Sequence, residues 1–214
     1  MTTLYGDAQR DQQDKHNSRR LADLLDAAIV HAALTDEDRD FLATRDFFFL
    51  ATVDAEGRPT VSYKGGDPGF VRVLDPVTLE FPLYDGNGMF LSAGNIQASA
   101  EIGMLFIDFE TPNRLRLQGT AALAEGGAAY PGAVLTVRVV LHHVFRNCGR
   151  YIHKHTRVAP SPHVPDAAGH QPVAAWKRID FVQETLQPAD REAAAAAGLI
   201  SAEAYDDLRR RGEA

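Results

Sequence analysis

Residues 46–64, DFFFLATVDAEGRPTVSYK, decide the fold. DFFFLATVD is rich in aromatic and β-branched residues, a composition that predicts a strand. The following Asp54-Ala55-Glu56-Gly57 has the composition of a tight turn, with glycine where a positive φ is favoured. Arg58 to Lys64 then alternates between polar and apolar residues, which predicts the returning strand. The stretch is therefore a predicted antiparallel hairpin.

More strand patterns follow the hairpin, with turns between them. They are FVRVLD, TLEFPLY, EIGMLFIDF, RLRLQGTAAL and AVLTVRVVLHHVF. Pro82 marks an edge or bulge in TLEFPLY, and Gly126-Gly127 interrupt the chain before the last strand. About six or seven strands at roughly ten-residue spacing favour a barrel or a sandwich. A doubly wound sheet would require helices that alternate with the strands. We therefore predict a mainly β, α+β fold with flanking helices.

Helical patterns lie on both sides of the strands. Leucines at helical spacing predict an amphipathic helix over 18–33, after a loose segment 1–17. Thr35 and Asp38 form a capping box for a second, short helix. Further helices are expected at Met89–Ala98 and Asn147–His155, after Pro188 and after Ser201, with a proline-rich loop over 156–173. The expected domains are an N-terminal helical extension (1–45), a barrel (46–180) and a C-terminal helical tail (181–214).

Composition limits the class of protein. The 214 residues are 45% apolar and 24% charged, which is typical of a globular chain. The apolar runs are too short to span a membrane, and one cysteine, Cys148, excludes an internal disulfide. These features lead us to expect a cytoplasmic protein. The net charge of −7 argues against a general nucleic-acid binder. Residues 138–178, however, are basic and histidine-rich, which indicates either a small-anion site or a solvated face.

Two strands present candidate binding groups. In RPTVSYK, alternation places Ser62 and Lys64 on one face, opposite Tyr63, and a glycine-rich loop follows from Gly65. Such a face could line a groove for a phosphate or a flavin edge, or simply meet solvent. Arg114 and Arg116 likewise share one face of RLRLQGTAAL.

Two other segments carry polar groups. DGNGMFLSAGN, from Asp85 to Asn95, offers two Gly-Asn pairs beside a predicted helix start, where anions bind readily. Taken alone, however, this segment is better explained as a tight hairpin turn with a cap. RNCGRYIHKH places Asn147 and Arg150 on adjacent turns of the expected helix, with Cys148 beside two arginines. The histidines lack the spacing of a metal site, so no metal is expected.

In this order and spacing, the segments resemble the pyridoxamine 5′-phosphate oxidase-like flavoproteins, which have an FMN-binding split β-barrel. The matching features are the FLATVDAEGRP hairpin, the KGGDPGFVRVLD loop and strand, the GN…GN pair, MLFIDF followed by R-x-R-x-x-G-x-A, and NCGRYIHK. The resemblance covers roughly residues 40–180. It implies an FMN held between the two subunits of a homodimer.

The resemblance, together with the local patterns above, gives a set of predicted cofactor-binding residues. They are Ser62, Tyr63, Lys64, Gly65, Asn87, Met89, Ser92, Asn95, Arg114, Arg116, Asn147, Cys148 and Trp176. The family places basic residues at the turn where this chain has Asn87-Gly88-Met89, so the charge on the phosphate would fall to Lys64 and the arginines. Arg150 and His153 are the candidates for contacts with an anionic substrate.

The leading hypothesis is an FMN-dependent oxidoreductase that transfers hydride at the flavin N5 to or from a small substrate. Three alternatives stay open. One is a reductase of the same fold that uses the deazaflavin coenzyme F420. Another is a flavin- or haem-binding protein without turnover, which the lack of an evident catalytic base would favour. The last is a purely structural role, with the basic stretch at a dimer interface.

Overall fold

The computed structural model describes residues 4–125 and 129–214. The chain divides into two compact units, a barrel unit, Met1–Pro160, and a C-terminal unit, Ser161–Ala214. The expected interruption at Gly126-Gly127 lies outside the described residues. The division into domains at residues 45 and 180 stays a prediction.

In its described residues, the barrel unit contains four α-helices and eight β-strands. The helices are α1 (Asp7–Lys15), α2 (Arg19–Ile29), α3 (Asp36–Ala43) and α4 (Leu91–Ser99). The strands are β1 (Val30–His31), β2 (Phe47–Val53), β3 (Pro59–Gly65), β4 (Arg72–Asp75), β5 (Thr78–Tyr84), β6 (Glu101–Asp108), β7 (Asn113–Glu125) and β8 (Ala133–Asn147). The predicted hairpin is β2–β3, paired from Phe47↔Gly65 to Val53↔Pro59.

All eight strands belong to one antiparallel sheet. The order is β3-β2-β6-β7-β8-β5-β4, and β1 pairs with the end of β8. Within the described part of the chain no pairing joins β3 to β4, so the sheet curls without closing. The fold is a split barrel with flanking helices, which confirms the predicted fold class.

The core fills the inner face of the curled sheet. Alternate residues of each long strand point inward, and their side chains are almost fully buried. They include Phe48, Leu50, Leu79, Phe81, Phe106, Leu115, Leu117, Val137 and Val139. The inner face is therefore covered by side chains of its own sheet.

A β-bulge bends the two longest strands. The β7–β8 register shifts between Gln118 and Gly119, and His142 is the extra residue on β8. A Cβ on Gly119 would lie 2.3 Å from the carbonyl oxygen of Val140. Glycine is therefore required where the two backbones approach most closely.

Two expectations for the N-terminal segment were wrong. Residues 1–17 were expected to be loose, but residues 7–15 form α1, whose Arg10 donates to Asp23 of α2 at 2.6 Å. The helix expected over 18–33 stops at Ile29, because Val30 and His31 pair with β8. The Thr35–Asp38 capping box of α3 is confirmed.

The C-terminal unit consists of two 3-10 segments and two helices. The 3-10 segments are Ala175–Arg178 and Asp180–Thr185, and the helices are α5 (Pro188–Ala197) and α6 (Ala202–Arg211). Both predicted tail helices are confirmed, and Ser201 Oγ accepts from the amide of Ala204 at 3.3 Å. The buried Lys177 Nζ lies 2.8 Å from Asp190 Oδ1. Across the described residues, no helix combines the length and apolar character of a membrane span.

Candidate functional site

A cavity of about 420 Å³ lies where β3, the end of β5 and the start of α4 meet. The turn that joins β5 to α4, residues 85–90, forms one wall. The volume of the cavity is within the range of small-molecule sites. Seven of the predicted cofactor residues line it: Ser62, Tyr63, Lys64, Gly65, Asn87, Met89 and Ser92.

Strand alternation directs Ser62 and Lys64 toward the inside of the sheet. Ser62 pairs in register with Leu50, and Lys64 pairs with Phe48, both core residues. Ser62 Oγ lies 3.2 Å from Ser92 Oγ of α4. Burial lowers the pKa of Lys64, and no neighbouring charge contributes to that shift. The cavity therefore holds a partly desolvated ammonium beside two hydroxyls.

The N-terminus of α4 opens on the same cavity. Leu91, Ser92 and Ala93 form its first turn and line the cavity, and no side chain caps this end. The first N–H groups of a helix have no partner within the helix, and they carry a partial positive charge. Together with Lys64, they make this wall favourable to an anion.

The turn before α4 adds polar and phenolic groups. Asn87 Oδ1 accepts from the amide of Met89 at 3.1 Å, so this side-chain oxygen fixes the turn. Tyr84, at the end of β5, also lines the cavity. Burial and the nearby Asp67 raise its pKa, so Tyr84 keeps its proton at neutral pH.

Tyr63 stands at the edge of a stack of aromatic rings. Its ring is parallel to that of Phe47 at 5.4 Å, and Phe47 is parallel to Phe109 at 5.9 Å. A Cβ on Gly65 would lie 2.9 Å from Tyr63 Cε1. Glycine at 65 thus leaves the space in which the Tyr63 ring lies.

The other predicted site residues lie outside this cavity. Asn95 is buried in α4, where its Nδ2 donates to Thr52 Oγ1 at 2.9 Å. Arg114 and Arg116 lie on β7, opposite Ile107 and Leu105 of β6. The remaining residues are Asn147 at the end of β8, Cys148, Arg150 and His153 after it, and Trp176 in the C-terminal unit. Their assignment to a site stays a prediction.

The helix expected over Asn147–His155 is wrong. Strand β8 continues to Asn147, and the chain then runs back along the β6–β7 turn without helical hydrogen bonds. The amide of His155 donates to the carbonyl of Phe109 at 3.1 Å. A Cβ on Gly149 would lie 2.1 Å from the Pro112 carbonyl oxygen. These contacts with distant residues stabilise an irregular path. The spacing of the polar and basic residues over 147–155 did not indicate it.

The sequence reasoning missed part of the cavity wall. Tyr84, Phe90, Leu91 and Val134 line it and carried no prediction as ligand contacts. The run Met89-Phe90-Leu91 was the available signal, because three consecutive large apolar residues next to a Gly-rich turn are unusual at a surface. Among the described residues, no group of three or more His, Cys, Asp or Glu side chains is placed to hold a metal.

Solved structures similar to this chain cover about half of it. HupZ of Group A Streptococcus is 21% identical, with a TM-score of 0.45 over 57% of this chain and 99% of that one. HutZ, the haem storage protein of Vibrio cholerae, is 19% identical, with a TM-score of 0.41 over 54% and 96%. An FMN-binding protein of Syntrophomonas wolfei is 10% identical, with a TM-score of 0.41 over 63% and 96%.

No curated protein matches the sequence. The sequence model of the pyridoxamine 5′-phosphate oxidase family matches residues 34–143, from the loop between β1 and α3 to within β8. The match spans slightly more than half of the chain and includes β2–β7, α4 and every residue from Ser62 to Ser92 that lines the cavity. The chain therefore belongs to the pyridoxamine 5′-phosphate oxidase family.

Proposed function

We propose that the protein is an FMN-dependent oxidoreductase that binds the cofactor phosphate at Lys64 and the start of α4. The observation that carries the proposal is the Lys64 ammonium, which is partly buried in a cavity without an ion-paired carboxylate contributing to its pKa. Burial of a cation is unfavourable unless an anion or a hydrogen-bond acceptor offsets it. An anionic ligand supplies that partner.

The cavity groups fit a phosphate. Ser62 and Ser92 supply hydroxyls 3.2 Å apart, α4 supplies free N–H groups, and Lys64 supplies the charge. Asn87-Gly88-Met89 supplies no cation, so the phosphate depends more heavily on Lys64 than it would beside a basic turn. When bound, flavin supplies hydride transfer at N5. The residues of the chain orient it, exclude water and stabilise negative charge.

Two copies of the chain would share this site. Apart from Glu101, the outward residues of β2 and β6 are apolar. On β3, Val61 is 67% exposed and Tyr63 is 61% exposed. A solvent-facing strand usually presents polar residues on its outer side. Because the core already covers the inner face, a second apolar face favours contact with another copy. Arg114 and Arg116 flank this face on β7, from which they would reach the partner's cavity.

The test of the cofactor is the visible spectrum after incubation with FMN and removal of free ligand. We expect the absorption bands of bound flavin at one FMN per chain, and loss of these bands in Lys64→Ala. A colourless protein would refute the proposal. Tighter binding of F420 or of haem than of FMN would assign that ligand to the cavity in place of FMN. Among the residues that line the cavity, none is a histidine that could coordinate haem iron.

The test of the dimer is the molar mass in solution by light scattering. We expect twice the chain mass for the wild type and the chain mass for Val61→Asp, because the carboxylate would be buried at the interface. Val158→Asp is the control, since Val158 is 99% exposed and outside the sheet. A monomeric wild type would refute the dimer.

A further inference from the structure

The buried face of α4 carries polar side chains. It consists of Ser92, Ala93, Asn95 and Ile96, of which Ser92 and Asn95 are 7% and 8% exposed. A helix face that packs on a core is usually apolar. Here Ile96 supplies the large apolar side chain, so apolar packing alone fixes the rotation and position of α4 only weakly.

Two polar contacts join this face to the β2–β3 hairpin. Asn95 Nδ2 donates to Thr52 Oγ1 of β2 at 2.9 Å. Ser92 Oγ lies 3.2 Å from Ser62 Oγ of β3. Thr52 is 1% exposed and follows Leu50 as an inward residue of β2. Because the two contacts lie at different points along the helix axis, together they fix both its rotation and its position on the sheet.

The Asn95–Thr52 hydrogen bond is independent of the ligand and of a second copy. The proposed function assigns the hydroxyls of Ser62 and Ser92 to the phosphate, so a bound cofactor competes for the contact between them. Neither Asn95 nor Thr52 lines the cavity. Both are buried within one copy, and contact with another copy can only add to that burial. Since a buried polar group without a partner is unfavourable, this bond holds α4 in every state of the site.

Both ends of α4 have strained backbone conformations. Phe90, before the helix, has φ +50°, and Ala100, after it, has φ +59°. Residues other than glycine persist in the left-handed region only where the surrounding structure imposes it. Contacts along α4, the Asn95–Thr52 bond among them, therefore keep the start of the helix at Leu91, beside the cavity.

We propose that Asn95 is a positioning residue for the cofactor phosphate, which it does not itself contact. Through Thr52 it fixes α4 on β2, so that Ser92 and the first N–H groups of the helix are directed at the phosphate beside Lys64. The inference rests on the proposed function, which supplies the ligand of these groups. It gives Asn95 a role different from the direct cofactor contact that the sequence predicted.

The test compares the binding of FMN and of riboflavin, which lacks the phosphate, to Thr52→Val. Valine keeps the shape of threonine but offers no acceptor to the Asn95 amide. The dissociation constants are measured by quenching of flavin fluorescence. We expect the constant for FMN to rise at least about tenfold and that for riboflavin to change less than about twofold, because riboflavin makes no use of the start of α4.

Thr52→Ser is the conservative variant. It keeps the hydroxyl that accepts from Asn95 and loses a buried methyl group, so it should be less stable than the wild type. Its affinity for FMN should nevertheless stay within about twofold of the wild-type value. A role in stability alone would instead lower FMN affinity in Thr52→Ser as well.

Two further proteins separate positioning from stability. Thr52→Val/Asn95→Leu removes both polar groups and leaves neither one unpaired, so the chain should fold. It should show the same selective loss of FMN affinity as Thr52→Val. Val139→Ala is the matched control, because Val139 is fully buried in β8 and does not line the cavity. It should lose stability and keep both flavin affinities.

Three results would overturn the inference. They are wild-type FMN affinity in Thr52→Val, an equal loss of affinity for FMN and riboflavin in that variant, and an equal loss of FMN affinity in Thr52→Ser. A wild type that binds neither flavin refutes the proposed function, and hydrogen exchange of the flavin-free chain then tests the positioning. The amide of Gly94, which donates to the carbonyl of Phe90 at 2.8 Å, should exchange faster in Thr52→Val than in the wild type. An unchanged exchange rate would show that Asn95 does not hold the start of α4.

Discussion

Replacement of Lys64 by glutamine is the sharpest test of the phosphate site. Gln keeps a polar side chain but removes the charge, in a cavity whose remaining phosphate donors are hydroxyls and helix N–H groups. A charge-assisted hydrogen bond is worth about 1.5–3 kcal/mol. The dissociation constant for FMN should therefore rise about 10- to 150-fold, since about 1.4 kcal/mol corresponds to a factor of ten. The assay is quenching of flavin fluorescence, titrated at fixed ionic strength.

The pH dependence of FMN affinity, compared between the wild type and Lys64→Gln, gives a second readout of the same charge. Burial lowers the pKa of Lys64 in the cofactor-free protein. As pH rises through that lowered pKa, the lysine becomes neutral, and wild-type FMN affinity should fall by up to about tenfold per pH unit. The sign for stability is opposite. The unfolded chain holds this proton more tightly, so the free energy of unfolding rises with pH across the interval up to the ordinary lysine pKa.

Lys15→Gln is the control, because Lys15 lies exposed in α1, away from the cavity. It should leave both the dissociation constant and its pH profile unchanged. If Lys64→Gln binds FMN as tightly as the wild type at neutral pH, Lys64 does not contact the phosphate. The assignment of the phosphate to this wall of the cavity would then be wrong.

Three further predictions concern stability, measured as the free energy of unfolding in urea. Gly119→Ala should lower the free energy of unfolding by about 1–3 kcal/mol, because its Cβ would meet the Val140 carbonyl. Gly94→Ala, in open space within α4, should raise it by about 0.5–1 kcal/mol. Equal effects of the two substitutions would contradict the close approach of the backbones at the bulge. Burial and a nearby carboxylate raise the pKa of Tyr130. Above the ordinary tyrosine pKa the unfolded chain therefore ionises first, and the wild type should lose stability as pH rises. Tyr130→Phe should lose less stability over the same pH range, and parallel pH profiles for the two proteins would refute this. Phe90→Gly should be about 1–2 kcal/mol more stable than Phe90→Ala, since both lack the ring but glycine alone relieves the left-handed backbone; equal stabilities would show that Phe90 is not strained.

The strands could be predicted from the sequence because their pattern is local. Phe47–Val53 and Thr78–Tyr84 lie within two residues of the predicted limits, since alternation and β-branching act within each segment. The same local reasoning failed for Asn147–His155, whose path depends on hydrogen bonds to the distant Phe109. It also failed for α1, whose ion pairs with α2 offset its polar composition.

The candidate site could be predicted only in part, namely where its residues follow from the local alternation of a strand. The polar face of β3 follows from alternation, so the sequence alone identifies Ser62 and Lys64 as neighbours on one face. The exposure of Met89, Phe90 and Leu91 could not be predicted, because it depends on the point at which α4 starts and on the left-handed Phe90. Hydropathy alone reads Met89-Phe90-Leu91 as buried helix. The contribution of Tyr84 required the pairing of β5 with β8, which brings its end to the cavity.

The two faces of β3 connect the proposed cofactor site with the proposed dimer. Ser62 and Lys64 point inward to the cavity, while Val61 and Tyr63 point outward from the sheet. β3 is also an end strand of the open sheet, so its outer edge lacks a partner strand within the described residues. Because adjacent residues of a strand are covalently fixed on opposite faces, a displacement of Val61 at a subunit interface also moves Lys64. Subunit contact and cofactor affinity should therefore be coupled: the free energy of dimerisation should change when the cofactor binds, and the free energy of cofactor binding should change by the same amount when the dimer forms.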